Sequence, residues 1–106
     1  MIEAATELLQ AFARSDLEPI ERLCAEDVLL VGTDEGEVWE GRARLLDAFR
    51  GAFDLRVEWA APPRLGSDWL YGDVIFTERE GSTTRVRVTM VFRNQLLAHA
   101  HYSVAA

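Results

Sequence analysis

A turn, a short aromatic element and a helix follow one another without a break in VGTDEGEVWEGRARLLDAFRGAF, residues 31–53. The acidic stretch Gly32-Thr33-Asp34-Glu35-Gly36 reads as a chain reversal. Val38 and Trp39 then make a brief strand. Leu45, Leu46, Phe49 and Phe53 recur at helical spacing, which predicts a helix over residues 41–53. This helix lies between a short apolar strand, residues 28–31, and a second half that reads almost entirely as strand. Such an order points to a small α+β fold in which a curved sheet wraps helices around one pocket.

The flanking segments support that frame. Ile2, Ala5, Leu8, Leu9 and Phe12 repeat at the helical period and predict a helix over residues 2–14. Ser15 and Glu18 are spaced as a capping box for a second helix over residues 16–25, with Pro19 in its first turn and Leu17, Ile20 and Leu23 facing inward. Leu55, Val57 and Trp59 alternate with polar residues, so residues 54–60 read as a strand that Pro62-Pro63 ends. Trp59 and Trp69 flank that turn as packing residues or dimer contacts. Three long strands follow, over 69–80, 83–93 and 96–104. Gly81-Ser82 and Asn94-Gln95 read as the two-residue turns between them.

Two-residue turns set a register. Phe76 then faces Arg87, Glu78 faces Arg85, and Arg87 faces Tyr102. Side chains alternate between faces, so Phe76, Glu78, Arg87, Thr89 and Tyr102 share one face, and Tyr71, Ile75, His99 and His101 share the other. A one-residue slip in either turn exchanges the sets. Both faces are too apolar for water alone. The helices cover one, and a second copy of the chain is expected on the other, giving a homodimer through the outer sheet face.

Composition narrows the function classes. With 106 residues, one domain over 1–106 is the natural count. Cys24 is the only cysteine, so no disulfide forms within the chain, and its apolar neighbours read as packing. The N-terminus is amphipathic and acidic, unlike a signal peptide, and no stretch reaches membrane-spanning length, which together predict a cytoplasmic protein. A net charge of −7 argues against nucleic-acid binding. All 11 basic residues are Arg, and residues 81–106 hold no Asp or Glu but carry Arg85, Arg87, Arg93, His99 and His101. His99 and His101 share a strand face. They lack a third ligand nearby, so no metal is expected, and no cofactor. They read as half-buried interface residues beside Ser103, or as an acid/base pair.

Two motifs carry a family resemblance: GTDxxExWxG, formed by Gly32, Thr33, Asp34, Glu37, Trp39 and Gly41, and HxHxS, formed by His99, His101 and Ser103. With the order of elements, they make the whole chain similar to the SnoaL-like branch of the NTF2-like superfamily. The resemblance implies a cystatin-like cone, three N-terminal helices packed on a curved, mostly antiparallel sheet, with frequent homodimers. Its members include isomerases, cyclases, dehydratases, hydrolases and non-catalytic binding domains, so the fold alone does not choose among them.

Ketosteroid-isomerase chemistry needs a carboxylate base with a Tyr and a protonated acid as the oxyanion hole. Aligned on Glu26-Asp27 and Gly41, this chain has Gly32 at the base position. Phe12 is the only aromatic on the first helix, and the late strands hold no acid, so that triad is absent. Asp34, in the acidic run Asp34-Glu35-Glu37 that otherwise reads as a solvated turn, remains the candidate acid/base. It or a His would serve a cofactor-independent isomerase or polyketide-cyclase-like enzyme. In the related association domains of calcium/calmodulin-dependent kinases, arginines on equivalent strands line the pocket. Carried over, this resemblance nominates Trp39, Phe76, Glu78, Arg87, Thr89 and Tyr102 as the ligand pocket. Arg87 beside Tyr102 would hold an anionic or polar small molecule. A third reading is a dimerisation module whose cavity Trp39, Phe76 and Tyr102 fill.

Overall fold

The computed structural model describes residues 1–105. Helix α1 (Ile2–Arg14) buries Ala5, Leu8, Leu9 and Phe12, the stripe its periodicity marks. It ends at Ser15, which turns left-handed at φ 54°. Helix α2 (Leu17–Leu23) starts from Asp16 with no side-chain cap, so the capping box expected of Ser15 and Glu18 does not form. Other partners hold both residues. Ser15 Oγ accepts the Phe53 N–H at 2.8 Å, and Glu18 pairs with Arg22 one turn on at 3.1 Å.

Strand β1 (Cys24–Val31) begins earlier than its apolar run suggests and is followed by β2 (Val38–Glu40) and α3 (Arg42–Ala48). Helix α3 is about half the predicted length. The chain leaves it at Phe49, where Arg50 N–H turns back to the Asp47 carbonyl, and Phe53 is held at Ser15 instead of continuing the helix. The remaining elements are β3 (Arg56–Trp59), β4 (Arg64–Leu65), β5 (Trp69–Thr77), β6 (Thr83–Arg93) and β7 (Leu96–Val104). One sheet runs β2-β1-β7-β6-β5-β3, with β4 also paired to β5. Only the β1–β7 pair is parallel. The fold is α+β, three helices on a curved, mixed sheet. Irregular registers in β1 and β7 bend the strands where the sheet closes toward the helices.

The register of the long strands corrects the expected one. Gly81 N–H bonds the Glu78 carbonyl at 2.9 Å, and Glu78 N–H bonds the Ser82 carbonyl at 2.9 Å. The hairpin loop is therefore the three residues Arg79-Glu80-Gly81, with Gly81 at φ 101°, where a side chain is strained. Phe76 faces Thr84, and Arg87 faces Asp73. The second turn does have two residues, Asn94-Gln95, since Arg93 faces Leu96. A bulge at Ala98 then shifts the pairing, so Tyr102 faces Val88 rather than Arg87. Both departures change register by an odd number of residues. Strand β6 is thereby turned over relative to both neighbours, and Arg85, Arg87 and Thr89 stand on the outer face.

The inner face presents Leu70, Val74, Val86, Val88, Met90, Leu97 and Ala100 to Leu8, Phe12, Ile20 and Leu45 of the helices. Trp59 joins this layer and donates its indole N–H to Thr6 Oγ1 at 3.0 Å, tying β3 to α1. Cys24 is fully buried, and burial pushes its thiol up to about 12. It packs as a small apolar group. Among the described residues, no helix is long and apolar enough to cross a membrane.

Candidate functional site

At one end of the cone, the β1–β2 turn, the β5–β6 hairpin, the end of α1 and the segment after α3 enclose a cavity of about 270 Å³. Phe12, Leu30, Phe49 and Val86 are the buried part of its wall, while Asp34, Glu78 and Phe53 are its exposed rim. The aromatic rings form a continuous set. Phe49 lies 4.9 Å from Phe12, 5.8 Å from Trp39 and 5.7 Å from Phe53 between centroids, and Tyr102 lies 6.3 Å from both Phe12 and Phe76. Four come from positions that their elements' periodicity turns inward, while Phe49 and Phe53 lie just beyond the end of α3. Phe12 is on the apolar stripe of α1, and Trp39 pairs with Leu30 on the inner face. Phe76 and Tyr102 lie on the inner faces of β5 and β7.

Four of the six pocket residues expected from the sequence line this cavity: Trp39, Phe76, Glu78 and Tyr102. They leave the volume open rather than filling it. Arg87 and Thr89 do not reach it, because the turned-over β6 carries them to the outer face. There Arg87 Nε bonds Asp73 Oδ1 and Arg85 Nε bonds Asp73 Oδ2, each at 2.9 Å, with Arg87 also over the Tyr71 ring. Arg87 and then Arg85, by hydrogen bonding, hold the Asp73 carboxyl below its ordinary range, and Asp73 raises Arg87 in return. His99 and His101 are also on the outer face, opposite Val91 and Thr89, and are not placed to act at the cavity. Asp34 lies on the cavity rim, exposed.

The polar lining is therefore acidic and hydroxylic. Thr33, Asp34, Glu37, Glu78, Thr84 and Tyr102 contribute to it, and among the described residues no Lys, Arg or His does. The Tyr102 hydroxyl is wholly buried and has no hydrogen-bond partner. Burial, with a smaller contribution from Cys24, pushes this phenol far above its ordinary value, so it stays neutral and able to donate. Among the described residues, no three His, Cys, Asp or Glu side chains cluster as metal ligands would.

Several lining residues were not foreseen. Phe12 and Phe49 sit on helical apolar faces, a pattern that marks burial without saying whether a void adjoins it. Thr84 was hidden by the register error. Glu37 was read as part of a solvated turn, and the Gly32 that makes room for it was the one available signal.

This architecture and cavity belong to a known class. A SnoaL-like domain model matches residues 2–106, and the chain belongs to that family. No curated protein matches it. Among solved structures it is similar to a SnoaL-like family protein from Agrobacterium tumefaciens, with TM-score 0.83 and 13% identity over 99% of this chain and 97% of that one. It is also similar to a protein with a ketosteroid isomerase-like fold from Catenulispora acidiphila, in complex with trimethylamine, with TM-score 0.80 and 12% identity over 97% and 85%. A de novo designed protein with a curved β-sheet matches with TM-score 0.76 and 19% identity over 97% and 83%. At these identities the likeness is one of fold.

Proposed function

We propose that the chain binds a small, largely apolar molecule, uncharged or cationic, in the cavity beneath the β1–β2 turn. The carrying observation is the lining, where aromatic rings make the wall and, among the described residues, carboxylates are the charged side chains and no Lys, Arg or His contributes. Ligand pockets begin at about 300 Å³, so a cavity of about 270 Å³ suits a compact ligand. An anionic ligand would meet Asp34, Glu37 and Glu78 with no counter-charge in the lining. This reading replaces the carboxylate-binding one, which depended on Arg87.

The test is calorimetric titration with 1-naphthalenemethanol and with 1-naphthoate, which share a ring system and differ in charge. The alcohol should bind and the carboxylate should not. Equal binding of the two would defeat the electrostatic argument, and binding of neither would defeat the ligand reading.

We also propose a homodimer through the outer sheet face. Leu29, Val31, Tyr71, Ile75 and Val91 lie on that face and are half-buried in the single chain. A second copy meeting it across a two-fold axis closes the assembly.

A further inference from the structure

We propose that Glu37 sets the specificity of the cavity by holding the ammonium group of an aryl- or alkyl-amine whose apolar body lies against the aromatic wall; this rests on the small-molecule reading above.

The first observation is a vacancy in the backbone that Glu37 uses. Gly32 ends the inward path of β1 beside the cavity. A Cβ built on it would lie 2.6 Å from Glu37 Oε1 and 2.7 Å from Glu37 Cβ. The Glu37 side chain thus occupies the space that a residue-32 side chain would take, and only glycine permits it. The turn then fixes it there. Gly32 N–H bonds the Glu37 carbonyl at 2.7 Å, Glu37 N–H bonds the Asp34 carbonyl at 3.1 Å, and Asp34 N–H bonds Glu37 Oε1 at 2.9 Å. A carboxylate held this way loses little freedom on binding a ligand.

The second observation is that, among the described residues, this carboxylate accepts only the Asp34 N–H. Among the described residues it has no cationic partner, while the arginines of the outer face are tied to Asp73. Of the other two lining carboxylates, Asp34 is exposed on the rim and Glu78 lies 2.8 Å from the Ser82 hydroxyl, which also approaches Glu80. The third observation is independent of charge. The Tyr102 ring lines the cavity from β7, the strand beside β1, with its hydroxyl buried and without a partner. Trp39, Phe49 and Phe76 line the same cavity, and their ring faces favour a cation or an aromatic body. A fixed anion among aromatic rings, with no cation in the described lining, matches an amphipathic amine better than any neutral or anionic ligand.

The experiment compares 1-naphthylmethylamine with 1-naphthalenemethanol by calorimetry at neutral pH. Wild type should bind the amine at least about tenfold more tightly, as a charge-assisted hydrogen bond predicts. Glu37→Gln should abolish that preference, weakening the amine at least about tenfold and the alcohol much less. Gly32→Ala, which must displace Glu37, should also abolish it. Glu35→Gln, on an exposed turn residue outside the lining, should retain it. Equal affinities for amine and alcohol in wild type would overturn the ammonium site while leaving the apolar cavity reading intact. A preference that survives Glu37→Gln would show that the overall negative charge, not this residue, selects the amine. Binding of neither compound would overturn both proposals.

Discussion

At the scale of single residues, two buried titratable groups carry the clearest consequences. The Tyr102 hydroxyl lacks a partner, and a buried unsatisfied polar atom costs about 1–3 kcal/mol. Tyr102→Phe keeps the ring against Phe12 and Phe76 and deletes only that atom. It should raise the stability of the free protein by up to about 1–3 kcal/mol in urea unfolding, the reverse of the usual direction for a core substitution. Cys24 and Tyr102 also set an alkaline limit. The Cys24 thiol is pushed up to about 12 in the fold, above the value of about 8.5 for a free thiol. Below the unfolded value both states keep the proton and stability is at its maximum. Above it the unfolded chain ionises first, so stability declines until the folded thiol also ionises. Tyr102 adds to the decline from about pH 10 upward. Urea midpoints should therefore fall steadily as pH rises above about 8.5, and Cys24→Ala should flatten the first part of that fall. A flat profile in wild type would mean that neither group is held neutral by the fold.

At the scale of elements, helix and strand positions were legible and handedness of the faces was not. The apolar stripe of α1 and the alternation in β3, β5, β6 and β7 placed those elements within a few residues of where they lie. Periodicity is a local property, and it survives in the sequence. Register depends on one residue in a turn. Gly81 was read as part of a two-residue turn, but the left-handed conformation it adopts closes a three-residue loop. At Ala98 the pattern of small and polar residues gave no sign of a bulge. Each error is odd, so between β5 and β7 they cancel, and Phe76 and Tyr102 fall correctly on one face. For β6 there is no cancellation, and Arg87 and Thr89 were assigned to a pocket from which the sheet separates them. The Asn94-Gln95 turn, correctly read, offers a test. Asn94 and Gln95 both have positive φ, at 52° and 67°. Such a turn favours glycine at its second position, where an L side chain costs roughly 1–2 kcal/mol. Gln95→Gly should stabilise the protein by about 1 kcal/mol in thermal or urea unfolding, net of the entropy glycine adds to the unfolded chain. Destabilisation would indicate that the β6–β7 connection is not the turn described.

At the scale of the whole molecule, fold and function separate cleanly. A de novo designed protein with a curved β-sheet is similar to this chain in fold, and a fold alone assigns no role. What distinguishes this chain is how charge is distributed over that frame. Among the described residues its inner cavity keeps carboxylates and no cations, while on the outer sheet face Arg85 and Arg87 share the single carboxylate of Asp73. That pairing matters for assembly. Two unpaired arginines in the middle of a sheet face would repel their symmetry mates in a second copy, whereas Asp73 hydrogen-bonds both and offsets one of the two charges, which lowers the cost of burying the face flanked by Tyr71, Ile75 and Val91 against a second copy. Thr89 sits in this face between Tyr71 on β5 and His101 on β7. Thr89→Arg adds an uncompensated charge there and, in a two-fold dimer, adds it from both copies. Sedimentation equilibrium should give a dimer mass for wild type and a single-chain mass for Thr89→Arg, with unchanged far-UV circular dichroism and unchanged binding at the cavity on the other side of the sheet. Wild type sedimenting as one chain at every concentration would show that the outer face is solvated, and its paired charges would then be serving solubility rather than assembly.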